Sequence, residues 1–194
     1  MSFSGFFYAI ISNFFSPFKI INKINEVIKT GYNRKKFFYY SIILYLMSSI
    51  SLIISGYITN GIGNLNLLIF QIILNLFSDL FYIFISFSIF HFFKTKIDFE
   101  HFSTLYFLSN YFYFILLPVI IILNILNTGA ILNIIFFGLS IFIFALKVYV
   151  YSLFVNNSRE KGFLYFILPG IFVISFVFFI FYSLFISILN VFKM

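Results

Sequence analysis

The sequence contains no cysteine, which excludes disulfides and thiolate metal sites in any compartment and leaves the redox environment unspecified. Charge is nearly as scarce. Only 9% of the 194 residues are charged and five are acidic, whereas a soluble domain carries about a quarter of its residues charged. Too few polar side chains exist to cover a globule. Catalytic motifs are missing too: there is no nucleophile elbow, no P-loop and no His-Glu-x-x-His, and serines without a partnered base read as helix-packing residues. No enzyme activity and no cofactor are expected. His91 and His101 bracket a loop carrying Asp98 and Glu100, but ten residues across a loop is not a recognised ligand spacing, so no metal site is expected. The opening residues have neither a basic n-region nor a small-residue cleavage site, so a removed signal peptide is not expected.

Apolar side chains dominate what is present, with 63% hydrophobic residues and a mean hydropathy of +1.12. They fall in long unbroken runs, not in alternating segments of about ten residues, which indicates membrane helices and excludes an outer-membrane barrel. The 35 Phe and 14 Tyr read as the codon bias of an AT-rich genome before they read as a ligand cage.

Five spans are expected, at about 37–58, 65–93, 102–126, 130–155 and 163–192, each near or above the roughly 20 residues a crossing needs. Turn-forming stretches separate them: Thr59 to Asn64, Asn127 to Gly129, and Asn156 to Gly162. Pro118 predicts a kink in the third span, and Pro169 sits near the start of the fifth, where a break costs least. Lys and Arg alternate between ends. They occur before the first span (Lys19, Lys23, Lys29, Arg34, Lys35, Lys36), in the second loop (Lys94, Lys96) and in the fourth (Arg159, Lys161), with only Lys193 after the fifth. The positive-inside rule then places the N-terminus in the cytoplasm and the C-terminus outside. Basic charge here does not imply nucleic acid, because no soluble domain presents it.

Residues 1–36 form a separate cytoplasmic segment ahead of the five-helix domain, 37–194. Ser16 can cap a helix beginning at Pro17, and Gly31 can end it. Phe18, Ile21, Ile24 and Ile28 recur at helical spacing opposite Lys19, Asn22, Lys23, Glu26 and Lys29. The expectation is a basic amphipathic helix in the plane of the membrane interface, with Lys19 and Lys23 facing water and Lys29, Arg34, Lys35 and Lys36 reinforcing attachment to anionic lipid. The apolar stretch from Phe3 to Phe15 is expected to bed in lipid as well.

Inside the spans, Asp79 stands out, because an unpaired charge in a membrane helix costs at least roughly 2.5 kcal/mol. Gln71 and Asn75 precede it at four-residue spacing and share its helix face, which should turn into the bundle. In the fourth span Asn133, Ser140 and Lys147 recur every seven residues, again one face. These six form a candidate polar seam. Lys147 can reach inward to Asp79 or snorkel outward, and the pair reads either as a register-fixing ion pair or as a proton or substrate pathway. Asn110, Tyr113 and Asn124 in the third span read as interhelical hydrogen-bonding groups.

The Ser16-Pro17-Phe18 start of an amphipathic segment, the basic run before the first span and five closely spaced spans together resemble the Yip domain family of Ypt-interacting membrane proteins. The resemblance is one of arrangement along nearly the whole chain. Eukaryotic members would imply small-GTPase binding and vesicle traffic, but their long cytosolic N-terminal domain and Gly-Tyr-rich motifs are missing here, which argues against GTPase binding. Compact bacterial members imply a non-enzymatic accessory of membrane transport, trafficking or envelope homeostasis, placed in the bacterial cytoplasmic membrane. It would act through lipids, another membrane protein or a homo-oligomer. The alternative expectation is a small transporter, or a membrane subunit of a transport complex, using the seam around Asp79 and Lys147.

Overall fold

A computed structural model describes the backbone of residues 3–31, 33–60, 65–125 and 129–192. Within these it describes all side chains except those of residues 3, 56–60, 65–68, 115, 124–125, 129–130, 132–133, 177, 180 and 184–192. Eight α-helices follow in order: α1 (Phe3–Ser12), α2 (Pro17–Lys29), α3 (Arg34–Asn60), α4 (Leu65–Phe92), α5 (Phe99–Ser109), α6 (Leu116–Ile125), α7 (Gly129–Phe154) and α8 (Arg159–Phe192), with a 3₁₀ segment, Asn110–Ile115, joining α5 to α6. No strand occurs among the described residues. Five stretches are long and apolar enough to cross a membrane: Arg34–Ser55, Ile69–Phe92, Phe99–Leu123, Ile134–Phe154 and Arg159–Ser183.

Three of these begin earlier than hydropathy suggests, because a helix can hold its polar groups in its first turn. The expected start at 37 moves to Arg34. In α5, the Asp98 carboxylate accepts the Glu100 backbone N–H at 3.0 Å and fixes the start at Phe99, as an N-cap should. Gly162 donates its backbone N–H to the Ser158 carbonyl, so Arg159, Glu160 and Lys161 fall inside α8. Asn33, Asn156 and Asn157 all take positive φ, as does Gly31 at +78°. These are the residue types that enter the left-handed region most readily and so end helices sharply. The expected turns at 61–64 and 126–128 lie outside the described residues.

Arg34 ties one end of the bundle together. Its guanidinium meets Asp98 at 2.5 Å and also donates to the Ile28 carbonyl at 3.2 Å. The starts of α3 and α5 therefore lie side by side with the C-terminus of α2, where a cation offsets the helix dipole. Lys35, Lys36, Lys94, Lys96, Arg159 and Lys161 gather at this same basic end, because α4 and α7 finish there and α8 begins there.

The third spanning stretch is broken before its proline. Pro118 has no N–H for the Phe114 carbonyl, and Ser51 of α3 fills the gap: its hydroxyl lies 3.0 Å from the Tyr113 carbonyl and 3.4 Å from that of Phe114, and it accepts the Leu117 N–H at 3.3 Å. In α8 the helix continues through Pro169, and Tyr82 of α4 donates to the nearby Phe166 carbonyl, tying α4 to α8.

The N-terminal helices differ from the interfacial arrangement expected of them. Ile20, Ile21, Ile24 and Ile28 of α2 are buried by protein, against α5 and α7, while Lys19, Lys23 and Glu26 are exposed. Phe14 stacks on Phe112 and Asn25 bonds His101, so eleven residues of each strand of chain run antiparallel beside the other. Tyr149 of α7 donates to Asn22 at 2.6 Å. The helix thus lies along the bundle. Upstream, Phe6 of α1 is fully buried against Phe37 and Tyr40 of α3. Together α1 and α2 make a hairpin that enters from the basic end and turns back at residues 13–16, beside Tyr111 and Phe112 just past the end of α5, whose 11 residues span about 16 Å at 1.5 Å per residue. Ser16 occupies the N-cap position, but its hydroxyl makes no capping bond.

One crossing is especially close. A Cβ on Gly162 would lie 2.7–2.8 Å from the Ser152 backbone and Cβ, whereas one on Gly138 would meet nothing within 4 Å. Gly162→Ala should therefore destabilise the protein by about 1–3 kcal/mol, the usual cost of overpacking, and Gly138→Ala should not. Reversible unfolding titrations in mixed micelles would check this; equal effects would show that the α7–α8 contact yields freely.

Candidate functional site

The polar residues of the spans converge where α3, α4, α5 and α7 meet. Asp79 of α4 accepts a hydrogen bond from Tyr45 of α3 at 2.6 Å on one carboxylate oxygen, and from Tyr106 of α5 at 2.9 Å on the other. Lys147 of α7 approaches that second oxygen to 3.5 Å. The ammonium also donates to the Tyr106 hydroxyl at 3.1 Å and sits 4.5 Å from the centre of its ring. Side-chain exposure is 24% for Asp79 and 16% for Lys147, so protein covers most of both charges. Such a pair persists when further donors saturate the carboxylate. Here two phenols do so.

Helical periodicity supplies the convergence. Asn75, Asp79, Tyr82 and Ser86 follow one another at three- or four-residue spacing on the inner face of α4, as Lys147 and Tyr151 do on α7. One turn toward the basic end the polar groups become ring-bearing. Ser86 and Tyr151 share a 2.5 Å hydrogen bond, and Phe90, Phe102 and Tyr151 pack with ring centres 5.1–5.6 Å apart. Phe90, Phe102 and Tyr151 are fully buried. They form an aromatic floor beneath the ion pair.

Toward the other end the packing opens. Along the stripe on α4, Phe90 and Ser86 are buried, Asp79 and Asn75 half-buried, and Gln71 exposed. On α7, Tyr151 is buried, Lys147 intermediate and Ser140 exposed. Above the ion pair lies a cleft of about 230 Å³ whose walls include Ser49, Asn75, Ser78, Asn110 and Tyr113 as well as Tyr45, Asp79 and Lys147. Asn110 is 3% exposed, and its amide nitrogen has no hydrogen-bond partner. Leaving such a donor unsatisfied costs about 1–3 kcal/mol.

Of the six seam residues, Asp79, Lys147 and Asn75 meet at this cleft. Gln71 and Ser140 lie farther along the same faces; Ser140 donates to the Phe136 carbonyl of its own helix and also meets the Tyr113 hydroxyl at the edge of the cleft. The side chain of Asn133 lies outside the described residues, as does that of Asn124. Tyr45 and Tyr106 were not singled out by the sequence: each is one of 14 tyrosines, and only the facing carboxylate distinguishes them. Of the basic group, Arg34 holds the bundle end and Lys29 pairs with Glu26 at 3.4 Å, while Lys19, Lys23, Lys35 and Lys36 are exposed. His101 is buried and donates to Asn25 at 2.8 Å, whereas His91 is exposed.

Replacing Asp79 by Ala strands the Lys147 ammonium and removes the acceptor of two phenols. The expected loss is about 3–5 kcal/mol, the range for breaking a buried pair, and less for Asp79→Asn, which keeps an acceptor. Unfolding titrations of both variants would measure it. A loss under about 1 kcal/mol for Asp79→Ala, the worth of an exposed pair, would mean that the charges are solvated.

No known protein family, curated protein or solved structure matches this chain.

Proposed function

We propose that the chain is a non-enzymatic integral membrane protein that takes a small polar solute into the Asp79–Lys147 cleft, as a small transporter or the membrane subunit of one. The observation that carries this reading is the polar cleft itself, a space of about 230 Å³ among the helices walled by Asp79, Lys147, Asn75 and Asn110. A protein acting only through external contacts, as the resemblance to the Yip family implies, needs no polar volume among its helices, so the cleft favours the transport reading over the accessory one.

The cleft also limits what can enter. Asp79 and Lys147 cancel in charge, so an ionic solute would bring an uncompensated charge into a low-dielectric site. A neutral or zwitterionic solute fits better. At about 230 Å³ the space exceeds that of a single water, whose share of the liquid is about 30 Å³.

In the same reading the five apolar stretches cross the cytoplasmic membrane of a cell, with the basic end inside by the positive-inside rule. The α1–α2 hairpin then enters from the cytoplasmic side and returns, its own helices satisfying its backbone and the exposed Lys19 and Lys23 extending their stems along its surface toward the head groups. The aromatic floor faces the cytoplasm and the open end of the cleft faces outward. Binding on the outer side would have to part Phe90, Phe102 and Tyr151 before release inside.

The absence of native cysteine makes single-cysteine variants clean reporters of access. In cells treated from outside with a membrane-impermeant thiol reagent, Asn75→Cys should react readily and Ser86→Cys, buried against Tyr151 of the floor, about tenfold more slowly or not at all, by the exclusion expected of a packed core. Equal reactivity, or reaction of the Asn75→Cys variant from the cytoplasmic side alone, would overturn the proposed access.

A further inference from the structure

A second cavity lies on the outer surface of the bundle, away from the ion pair. It is a groove of about 620 Å³ over α7, walled by Phe18 of α2 and Phe163 of α8 and floored by Phe144, Ala145 and Val148. Arg159 closes it at the basic end. The groove exists because α2 stands along the bundle: a helix lying flat in the interface would leave α7 without the Phe18 wall. From Val148 to Ile141 it follows α7 for about 10 Å at the helical rise.

Its chemistry is divided. The walls are ring and branched aliphatic side chains apart from Tyr149, whose hydroxyl is engaged by Asn22. At the mouth Arg159 is exposed and makes no ion pair among the described residues. Arginine binds phosphate through a planar fork of donors, and basic pockets between helices at the cytoplasmic face suit anionic lipid head groups.

We propose that this groove holds one anionic phospholipid, its phosphate on Arg159 and an acyl chain along Phe18, Ala145 and Phe163. Charge complementarity selects the occupant: the apolar length would accept any chain, but the cation at its mouth favours a head group of net negative charge over a zwitterionic one. The proposal rests on the membrane reading and is independent of the solute cleft.

The test uses the full chain purified in detergent, with binding followed by native mass spectrometry and by the melting temperature. Phosphatidylglycerol should bind about fivefold more tightly than phosphatidylcholine of the same chains, the ratio that about 1 kcal/mol per basic group gives. Glycerol 3-phosphate, which has the charge and no chains, should not reproduce the stabilisation. Arg159→Gln should abolish the preference. Ala145→Trp, at an exposed position that changes no charge, should abolish binding by filling the groove, while Lys36→Gln should preserve both. Size-exclusion chromatography of each variant establishes that it is folded, so that loss of binding is read only from monodisperse protein. Equal affinity for the two lipids, full retention of binding in Ala145→Trp, equal stabilisation by glycerol 3-phosphate, or a groove closed by a second copy of the chain in lipid-free protein would each overturn the proposal. None of these outcomes alters the thiol-access result, which tests the solute reading separately.

Discussion

A carboxylate enclosed among apolar helices must be met by donors, and the arrangement of the bundle follows from how Asp79 is met. Tyr45, Tyr106 and Lys147 reach it from three different helices. Each of the four participating helices is thereby held in rotation as well as position, since a turn of any one would withdraw its group. Apolar packing alone would not do this in lipid, where chain and solvent are equally oily. The aromatic floor and the cleft are the two sides of this junction: tight ring packing below the charges, unfilled space above them.

The backbone imposes a second demand of the same kind. A proline frees a carbonyl that no water can reach inside a bundle, and at the break before Pro118 the hydroxyl of Ser51 answers. Tyr82 likewise bonds a carbonyl of α8, that of Phe166, close to Pro169. These contacts join α3 to the third spanning stretch and α4 to α8, so irregularity in one helix becomes attachment to another.

The spans were legible because twenty apolar residues in a row have few alternatives, and Asp79 was legible because its cost in such a run is large. Its neighbours were harder to see. A tyrosine that donates to a carboxylate looks in the sequence like one that packs, and Asn25, which meets His101, looks like one more polar residue beside Asn22 and Lys23. The partners of α2 are hidden in the sequence for a related reason. Periodicity records that one face is apolar, but it does not say whether lipid or protein will cover it, and Ile20, Ile21, Ile24 and Ile28 suit either. Contacts across more than seventy residues decide, and no local pattern carries them.

That separation has a consequence for biogenesis. Asn22 and Tyr149 touch across 127 positions in the chain, so α2 is synthesised long before α7 exists to receive it. Contacts of such sequence separation form late and slowly. Until α5 and then α7 follow, its isoleucine face has no protein cover, and the membrane surface, where an amphipathic helix rests comfortably, is the natural place for it to wait. The pattern that suggests an interfacial helix would then describe an earlier stage in the life of the same segment, before the bundle closes around it.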